Sequence, residues 1–178
     1  MLLTVMQIAG IYCSWRRRAP LLHAVAEFGI TTCQGRIYVF GGEGEYVEFD
    51  AVQCYGPTKN EWTYKMNLHK PLGDINACTV NSRMYLVGGK LECVLRFNHD
   101  EDDMYLEALA ERLDPWHYCS ATVHGSEIFI TGGQRGEPFV DWDPHTTPEE
   151  ECDLLYCTNL ATLQCYKTSN GTMTSEGD

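Results

Sequence analysis

The sequence predicts an all-β protein built from about three copies of one β-sheet unit, and two recurring landmarks support this. The first landmark is a short apolar run, rich in β-branched and aromatic residues, that stops at two glycines. It occurs at residues 36–42, 83–89 and 127–133, so the first glycines of the pairs lie 47 residues (88 − 41) and 44 residues (132 − 88) apart. Runs of this composition, closed by glycine, are typical of β-strands. We therefore expect a strand before each glycine pair.

The second landmark is a tryptophan that recurs at a constant distance before the glycine pairs. Trp15 lies 26 residues before Gly41, and Trp62 lies 26 residues before Gly88; the same place before the third pair holds Leu106. Between Gly41 and Trp62 the sequence predicts a strand, a Gly-Pro turn and a short strand that ends at the tryptophan. Two landmarks in phase indicate an internal repeat, which decides the fold class of the whole chain.

Together these features resemble the kelch repeat. The resemblance rests on the glycine pair that closes an apolar strand, the Tyr55-Gly56-Pro57 turn, the later tryptophan and a period in the mid-forties, and it extends over residues 15–166. It implies a partial kelch β-propeller of about three four-stranded blades. A single four-stranded sheet leaves both faces bare, so we expect blades packed side by side, with a tyrosine and a tryptophan in each wedge. An open antiparallel sheet or a sandwich is the alternative.

The repeat predicts five segments. Residues 1–22 are expected to be the tail of a preceding blade, residues 23–65 and 66–110 two blades, residues 111–167 a third blade with a long inserted loop, and residues 168–178 a disordered tail. Kelch members have more blades than this, so the resemblance implies a fragment or short isoform of a BTB-kelch (kelch-like) protein. Three blades cannot close a ring. Either copies of the chain self-associate through their open blade faces, or the unit is poorly stable.

The net charge narrows the class of partner. The chain carries 13 Lys and Arg against 25 Asp and Glu, a formal net charge of −12. Nucleic-acid binding depends on neutralising phosphates with basic side chains, so we expect no nucleic-acid partner. An acidic chain instead favours a protein or peptide with a basic face.

The cysteines and the N-terminal residues predict a cytoplasmic protein with no membrane segment. Nine cysteines, an odd number without CxxC pairs, fit neither a disulfide framework nor a zinc site and favour a reducing compartment. Residues 1–12 are apolar but short for a membrane span, and the basic run from Arg16 to Arg18 follows them instead of preceding them. A signal anchor is the alternative. Cys13, close to that basic run, is the best candidate for a redox-sensing thiol.

The resemblance to kelch proteins also implies where a partner would bind. In that family two sets of loops line one rim of the propeller, and loops held by a rigid scaffold commonly carry function. Counting 14 residues back from the first glycine of each pair places the first set at Glu27, Asp74 and Tyr118. The second set follows the glycine pairs and supplies Glu43, Glu45, Lys90, Glu92, Arg135 and Trp142. A basic or mixed peptide with an apolar anchor suits this rim; an ordinary solvated rim is the alternative.

Nothing in the sequence predicts an active site, a cofactor or a metal. The six histidines fall at unrelated phases of the repeat, and neither a Gly-x-Ser-x-Gly elbow nor a Walker-type loop occurs. We therefore expect a protein-interaction module and not an enzyme, resembling the substrate-recognition propeller of a cullin ubiquitin-ligase adaptor. The alternatives are an actin- or cytoskeleton-associated kelch scaffold and, in another class, a copper-radical oxidase-like propeller.

Overall fold

The computed structural model describes residues 2–9, 12–89, 91–99, 104–111, 117–135, 158–159 and 163–176. These residues form strands and turns and contain no helix, so the all-β prediction is confirmed. The strands are β1 (Leu2–Ala9), β2 (Tyr12–Pro20), β3 (Gly29–Cys33), β4 (Arg36–Phe40), β5 (Ala51–Gly56), β6 (Glu61–Asn67), β7 (Ile75–Val80), β8 (Arg83–Gly88), β9 (Cys93–Asn98), β10 (Tyr105–Glu111), β11 (Ser120–His124), β12 (Glu127–Thr131), β13 (Gln134–Arg135), β14 (Thr158–Asn159), β15 (Leu163–Lys167) and β16 (Thr172–Glu176).

Three four-stranded antiparallel sheets make up most of the structure. Blade 1 is β3-β4-β5-β6, blade 2 is β7-β8-β9-β10, and blade 3 is β11-β12-β15-β16. In every blade the second strand ends at, or directly before, one of the glycine pairs. The strand pairs β1-β2 and β13-β14 form two-stranded sheets. The expected partial propeller of three four-stranded blades is confirmed.

The end of the chain differs from the expected disordered tail at residues 168–178. Thr172–Glu176 forms β16, the outermost strand of blade 3, and pairs with β15 over its whole length. Met173 is its only large apolar residue and packs against the cluster between blades 2 and 3, so the strand is too weakly apolar to be found from its pattern. Pairing with β15 satisfies backbone groups on one side, and water can satisfy those on the other.

Tight two-residue turns connect the first and second strands of blades 1 and 2. Gln34 and Gly35 in blade 1 have φ angles of 49° and 72°, and Asn81 and Ser82 in blade 2 have φ angles of 50° and 60°. Positive φ at both central residues is the type I′ geometry, whose twist matches that of the paired strands. These turns therefore return each chain directly alongside the preceding strand.

Apolar layers between neighbouring blades form the core. The third strand of each blade places an aromatic residue at the same point of the repeat, and Tyr55, Phe97 and Tyr166 enter three separate buried clusters. The inner strands of blades 1 and 2 also meet, with Thr31 Oγ1 and Thr79 Oγ1 2.9 Å apart. The facing surfaces of blades 1 and 2, and of blades 2 and 3, are thus removed from water, which is the main stabilising effect of stacked sheets.

The two tryptophans that keep step in the sequence differ in their surroundings. Trp62 in β6 is only 7% exposed. Its Nε1 donates to Ala19 O at 3.1 Å, and its ring centroid lies 5.2 Å from that of Tyr55. Trp15 in β2 is 68% exposed. The expectation that a tryptophan fills each wedge therefore holds for Trp62 and is wrong for Trp15, which lies in a sheet of two strands instead of four.

Candidate partner-binding rim

The three glycine pairs turn the chain at the same end of the blades, which we call the glycine rim. All six glycines have φ between 55° and 103°, a region that residues with a Cβ rarely adopt. Gly42 N donates to Leu72 O at 2.8 Å, which fastens blade 1 to the segment that leads into blade 2. A Cβ on Gly41 would clash with the same Leu72 oxygen. All six positions therefore favour glycine for its positive φ, and Gly41 is also needed for close backbone approach.

The three residues predicted from the 14-residue spacing occupy equivalent places on the glycine rim. Glu27, Asp74 and Tyr118 have φ of 51°, 53° and 55°, a left-handed conformation that is uncommon outside glycine. In blade 1 the two predicted sets of loops are joined, because Ala26 and Glu43 exchange two backbone hydrogen bonds of 2.8 Å. The spacing thus found structurally equivalent positions. Their role in binding a partner stays a prediction.

A small hairpin at residues 43–48 projects from the glycine rim and carries residues that sequence reasoning missed. Gly44 N donates to Val47 O across its tip at 2.7 Å. Tyr46 at the tip is 91% exposed, and Val47 is also exposed. The Tyr46 hydroxyl donates to Glu45 Oε1 at 2.9 Å. The sequence offers only an aromatic residue among glutamates shortly after a glycine pair. Such a segment shows neither the alternation of a strand nor the periodicity of a helix.

Asp74 joins the rims of blades 2 and 3. Its Oδ2 accepts a hydrogen bond from Tyr118 N at 2.5 Å and lies 3.8 Å from His117 Nδ1. Desolvation raises the pKa of the Asp74 carboxyl, and the charge of Glu43 raises it further, while the Tyr118 N–H and His117 act in the opposite direction. Asp74 therefore holds neighbouring loops together, and its side chain is less available to a partner than those of Glu27 or Tyr118.

This role predicts different effects for two substitutions of Asp74. Asp74→Ala removes the acceptor of the Tyr118 N–H and is expected to lower the free energy of unfolding by about 1–2 kcal/mol. Asp74→Asn keeps an acceptor oxygen and avoids the cost of a half-buried charge, so we expect a smaller loss at pH 7. Urea unfolding of the three proteins measures both differences. Equal losses for the two variants would show that the hydrogen bond to Tyr118 is not what Asp74 supplies.

Wild type and Asp74→Asn also test the sign of the pH dependence of the free energy of unfolding. Because the pKa of Asp74 is raised in the folded chain, the folded state retains this proton at a higher pH than the unfolded state. The stability contributed by the group therefore rises as the pH falls through the folded pKa towards the unfolded value of about 3.9. We expect wild type to gain stability relative to Asp74→Asn between pH 7 and about pH 4, measured by urea unfolding at each pH.

The remaining predicted rim residues are only partly described. Glu92 is exposed directly before β9. Arg135 lies in β13, but its side chain is outside the described part of the structure, and Lys90 and Trp142 lie outside the described residues altogether. The structure therefore places Glu27, Glu43, Glu45, Glu92 and Tyr118 at or near the glycine rim. Asp74 is also on this rim, and the positions of Lys90, Trp142 and the Arg135 side chain are not described.

Two of the described thiols, Cys78 and Cys119, have environments that raise the pKa and so disfavour the reactive thiolate. Burial raises the pKa of Cys78 to about 11, and burial together with the nearby Asp74 charge raises the pKa of Cys119 to about 12. The side chain of Cys13, the predicted sensor candidate, is outside the described part. Among the described residues no three His, Cys, Asp or Glu side chains are grouped to hold a metal ion. In the same residues no helix is long and apolar enough to cross a membrane.

Comparison with known sequences identifies the repeat. Residues 24–69, which include most of blade 1, match the Kelch motif. Kelch-like protein 35 of Mus musculus is 29% identical over 153 residues, covering 82% of this chain and 26% of the relative. Beta-scruin of Limulus polyphemus is 33% identical over 145 residues, covering 73% of this chain and 15% of the relative. The chain thus spans about a quarter or less of the length of these relatives.

Comparison with solved structures agrees on the fold. The structure of YjhT superposes with a TM-score of 0.77 over 99% of this chain and 59% of the YjhT chain, at 12% sequence identity. At that identity the likeness concerns the fold alone. Taken with the kelch-like relatives, it supports a kelch-repeat propeller fragment that resembles kelch-like proteins.

Proposed function

Starting from a kelch-repeat propeller unit, we propose that this chain recognises a basic protein segment on its glycine rim, as the substrate-recognition propeller of a cullin ubiquitin-ligase adaptor would. The observation that carries the proposal is the juxtaposition of acidic and aromatic side chains at one end of the blades. Glu27 and Glu45 are exposed there, Tyr46 is exposed beside Glu45, and Tyr118 is exposed on the loop of blade 3.

The charge of this rim supports a basic ligand. Carboxylates at Glu27, Glu43 and Glu45 lie on two loops of blade 1 that share backbone hydrogen bonds, so their potentials add at one place. Complementary charge steers a basic partner to such a surface and rejects an acidic one. Actin is itself acidic, so the same potential disfavours the alternative of an actin-associated scaffold.

The aromatic residues support an apolar anchor within the ligand. Tyr46 and Val47 present apolar surface at the hairpin tip, and tyrosine is among the residue types that contribute most to protein interfaces. A lysine- or arginine-rich segment with one aromatic residue would satisfy both the carboxylates and the tyrosine ring. Self-association through open blade faces stays a separate prediction.

A binding assay with defined peptides tests the proposal. We expect a fluorescent basic peptide containing one tryptophan to bind at least about tenfold more tightly than a peptide with the basic residues replaced by glutamate. Glu45→Lys and Tyr46→Ala are each expected to weaken the basic peptide about five- to tenfold. Raising the salt concentration should weaken it as well, because exposed charges are screened.

Glu61→Lys is the matched control for the charge reversal. Glu61 is exposed at the start of β6, at the end of blade 1 opposite the glycine rim, and its pairing with Lys59 at 3.5 Å is solvent-exposed. Loss of such a pair costs little stability. If Glu61→Lys weakens the basic peptide as much as Glu45→Lys does, the ligand is not bound on the glycine rim.

A further inference from the structure

We propose that Tyr46 is a phosphorylation site for a protein tyrosine kinase. The hairpin at residues 43–48 exposes the side chain of Tyr46 more fully than that of any other described tyrosine. Tyr46 is 91% exposed, whereas the next most exposed tyrosines, Tyr64, Tyr118 and Tyr105, are 53%, 50% and 41% exposed. A kinase must enclose the acceptor side chain in its own active site, so a side chain that stands clear of the fold meets the first requirement.

The backbone around Tyr46 meets the second requirement, which is local access. The hydrogen bond from Gly44 N to Val47 O closes the tip, and a tip of this kind opens without separating strands of the sheet. Tyr64, by contrast, lies in β6 opposite Gln53, and Tyr105 lies in β10 opposite Asn98. Presenting either of these tyrosines in an extended segment would require part of a blade to unpair, which costs far more than opening a loop tip.

The charge around Tyr46 limits the class of kinase. Glu45 precedes Tyr46 directly, Glu43 lies three residues before it, and Glu48 and Asp50 follow it. A kinase whose substrate groove is lined by Lys and Arg is complementary to this segment, and one with an acidic groove is not. The cosubstrate is ATP with a divalent cation.

The chemical step adds a dianion to the rim. The Tyr46 Oη forms a bond to the γ-phosphorus of ATP, the bond from that phosphorus to the β,γ-bridging oxygen breaks, ADP leaves, and the phenolic proton passes to the general base of the kinase. The product has no hydroxyl proton to donate to Glu45 Oε1, the present partner at 2.9 Å. Its charge of about −1.5 to −2 lies beside Glu45 and repels it.

One consequence rests on the proposed function. A rim that binds a basic segment becomes more negative when Tyr46 is phosphorylated, so we expect the phosphorylated protein to bind the same basic peptide about three- to tenfold more tightly at low salt. This part of the inference is measured separately from the modification itself.

The test compares folded protein with peptides that carry the same sequences. Tyr105 is the matched control, because Asp102 and Asp103 precede it closely and acidic sequence alone would make it a substrate too. A purified kinase domain is first chosen that phosphorylates two synthetic peptides, residues 41–50 and 100–109, at similar rates. The full chain is then incubated with this kinase and ATP, and phosphate at Tyr46, Tyr64, Tyr105 and Tyr118 is quantified by mass spectrometry over time.

We expect the initial rate at Tyr46 in the folded chain to exceed that at Tyr105 at least about tenfold, and Tyr46→Phe to remove this fast phase. Similar rates at the two residues, or modification of the 41–50 peptide without modification of the folded chain at Tyr46, would overturn the proposal. Neither result depends on whether the protein binds the basic peptide used to test the proposed function. If the unmodified protein binds no basic peptide while Tyr46 is still phosphorylated rapidly, the proposed function fails and the modification site stands.

Discussion

Replacing Trp62 with alanine is expected to lower the free energy of unfolding by about 3–5 kcal/mol, as removal of a large buried aromatic side chain commonly does. The indole packs against Tyr55 with ring centroids 5.2 Å apart, and its N–H donates to Ala19 O. Alanine leaves a cavity in the cluster that joins β2 to blade 1 and also leaves the Ala19 carbonyl without this donor. Urea unfolding followed by tyrosine fluorescence or circular dichroism measures the loss.

Trp15→Ala is the matched control, because Trp15 occupies the same phase of the repeat. Its side chain is 68% exposed, so its removal is expected to cost less than about 1 kcal/mol, the range of surface substitutions. A loss comparable with that of Trp62→Ala would mean that Trp15 is covered in solution, either by a second copy of the chain or by another part of the protein. The comparison therefore tests how far the wedge between blades extends towards the N-terminus.

Gly41→Ala is expected to have the second large effect, with a loss of more than about 3 kcal/mol, because a backbone strain and a steric clash add. Gly41 has φ of 57°, which costs an L-residue about 1–2 kcal/mol. The new Cβ would also meet Leu72 O, a backbone atom that cannot swing away like the end of a side chain. The segment between blades 1 and 2 would have to shift, and thermal or urea unfolding should show the loss.

Two other glycines separate the strain from the clash. Gly132 is the equivalent first glycine of the third pair, with φ of 65°, and Gly35 lies in the β3–β4 turn with φ of 72°. At both positions no described atom lies within 4 Å of an added Cβ. Alanine at Gly132 or Gly35 is therefore expected to cost only the strain of positive φ, about 1–2 kcal/mol. Equal losses at all three positions would show that the contact with Leu72 contributes nothing.

The parts of the fold that follow from local chemistry were predictable. The runs before the glycine pairs consist of residues that suit a pleated, half-buried strand, and the pairs themselves need positive φ, so β4, β8 and β12 could be placed from sequence. The 14-residue spacing found Glu27, Asp74 and Tyr118, which share one unusual backbone conformation. β16 could not be found in this way, because Met173 is its only large apolar residue.

The candidate rim was predictable as a place but not as a set of contacts. Asp74 seemed equivalent to Glu27 by position, yet only the structure places its carboxylate on Tyr118 N of the next blade. Tyr46 lies in a short loop without periodicity, so nothing local distinguishes it from a tyrosine packed against a blade. Its exposure depends on the path of the Glu43–Glu48 hairpin away from the sheet.

By itself, the sequence determined the repeat, the position of the strand that ends at each glycine pair, and the acidic character of the chain. These depend only on residue types and their spacing. The tertiary structure decided which of the two tryptophans at the same repeat position is buried, which acidic residue joins neighbouring loops, and which described tyrosine is most exposed. The physical reason is that burial and hydrogen bonding depend on the neighbour across each blade junction. That neighbour lies tens of residues away along the chain, and it differs from one copy of the repeat to the next.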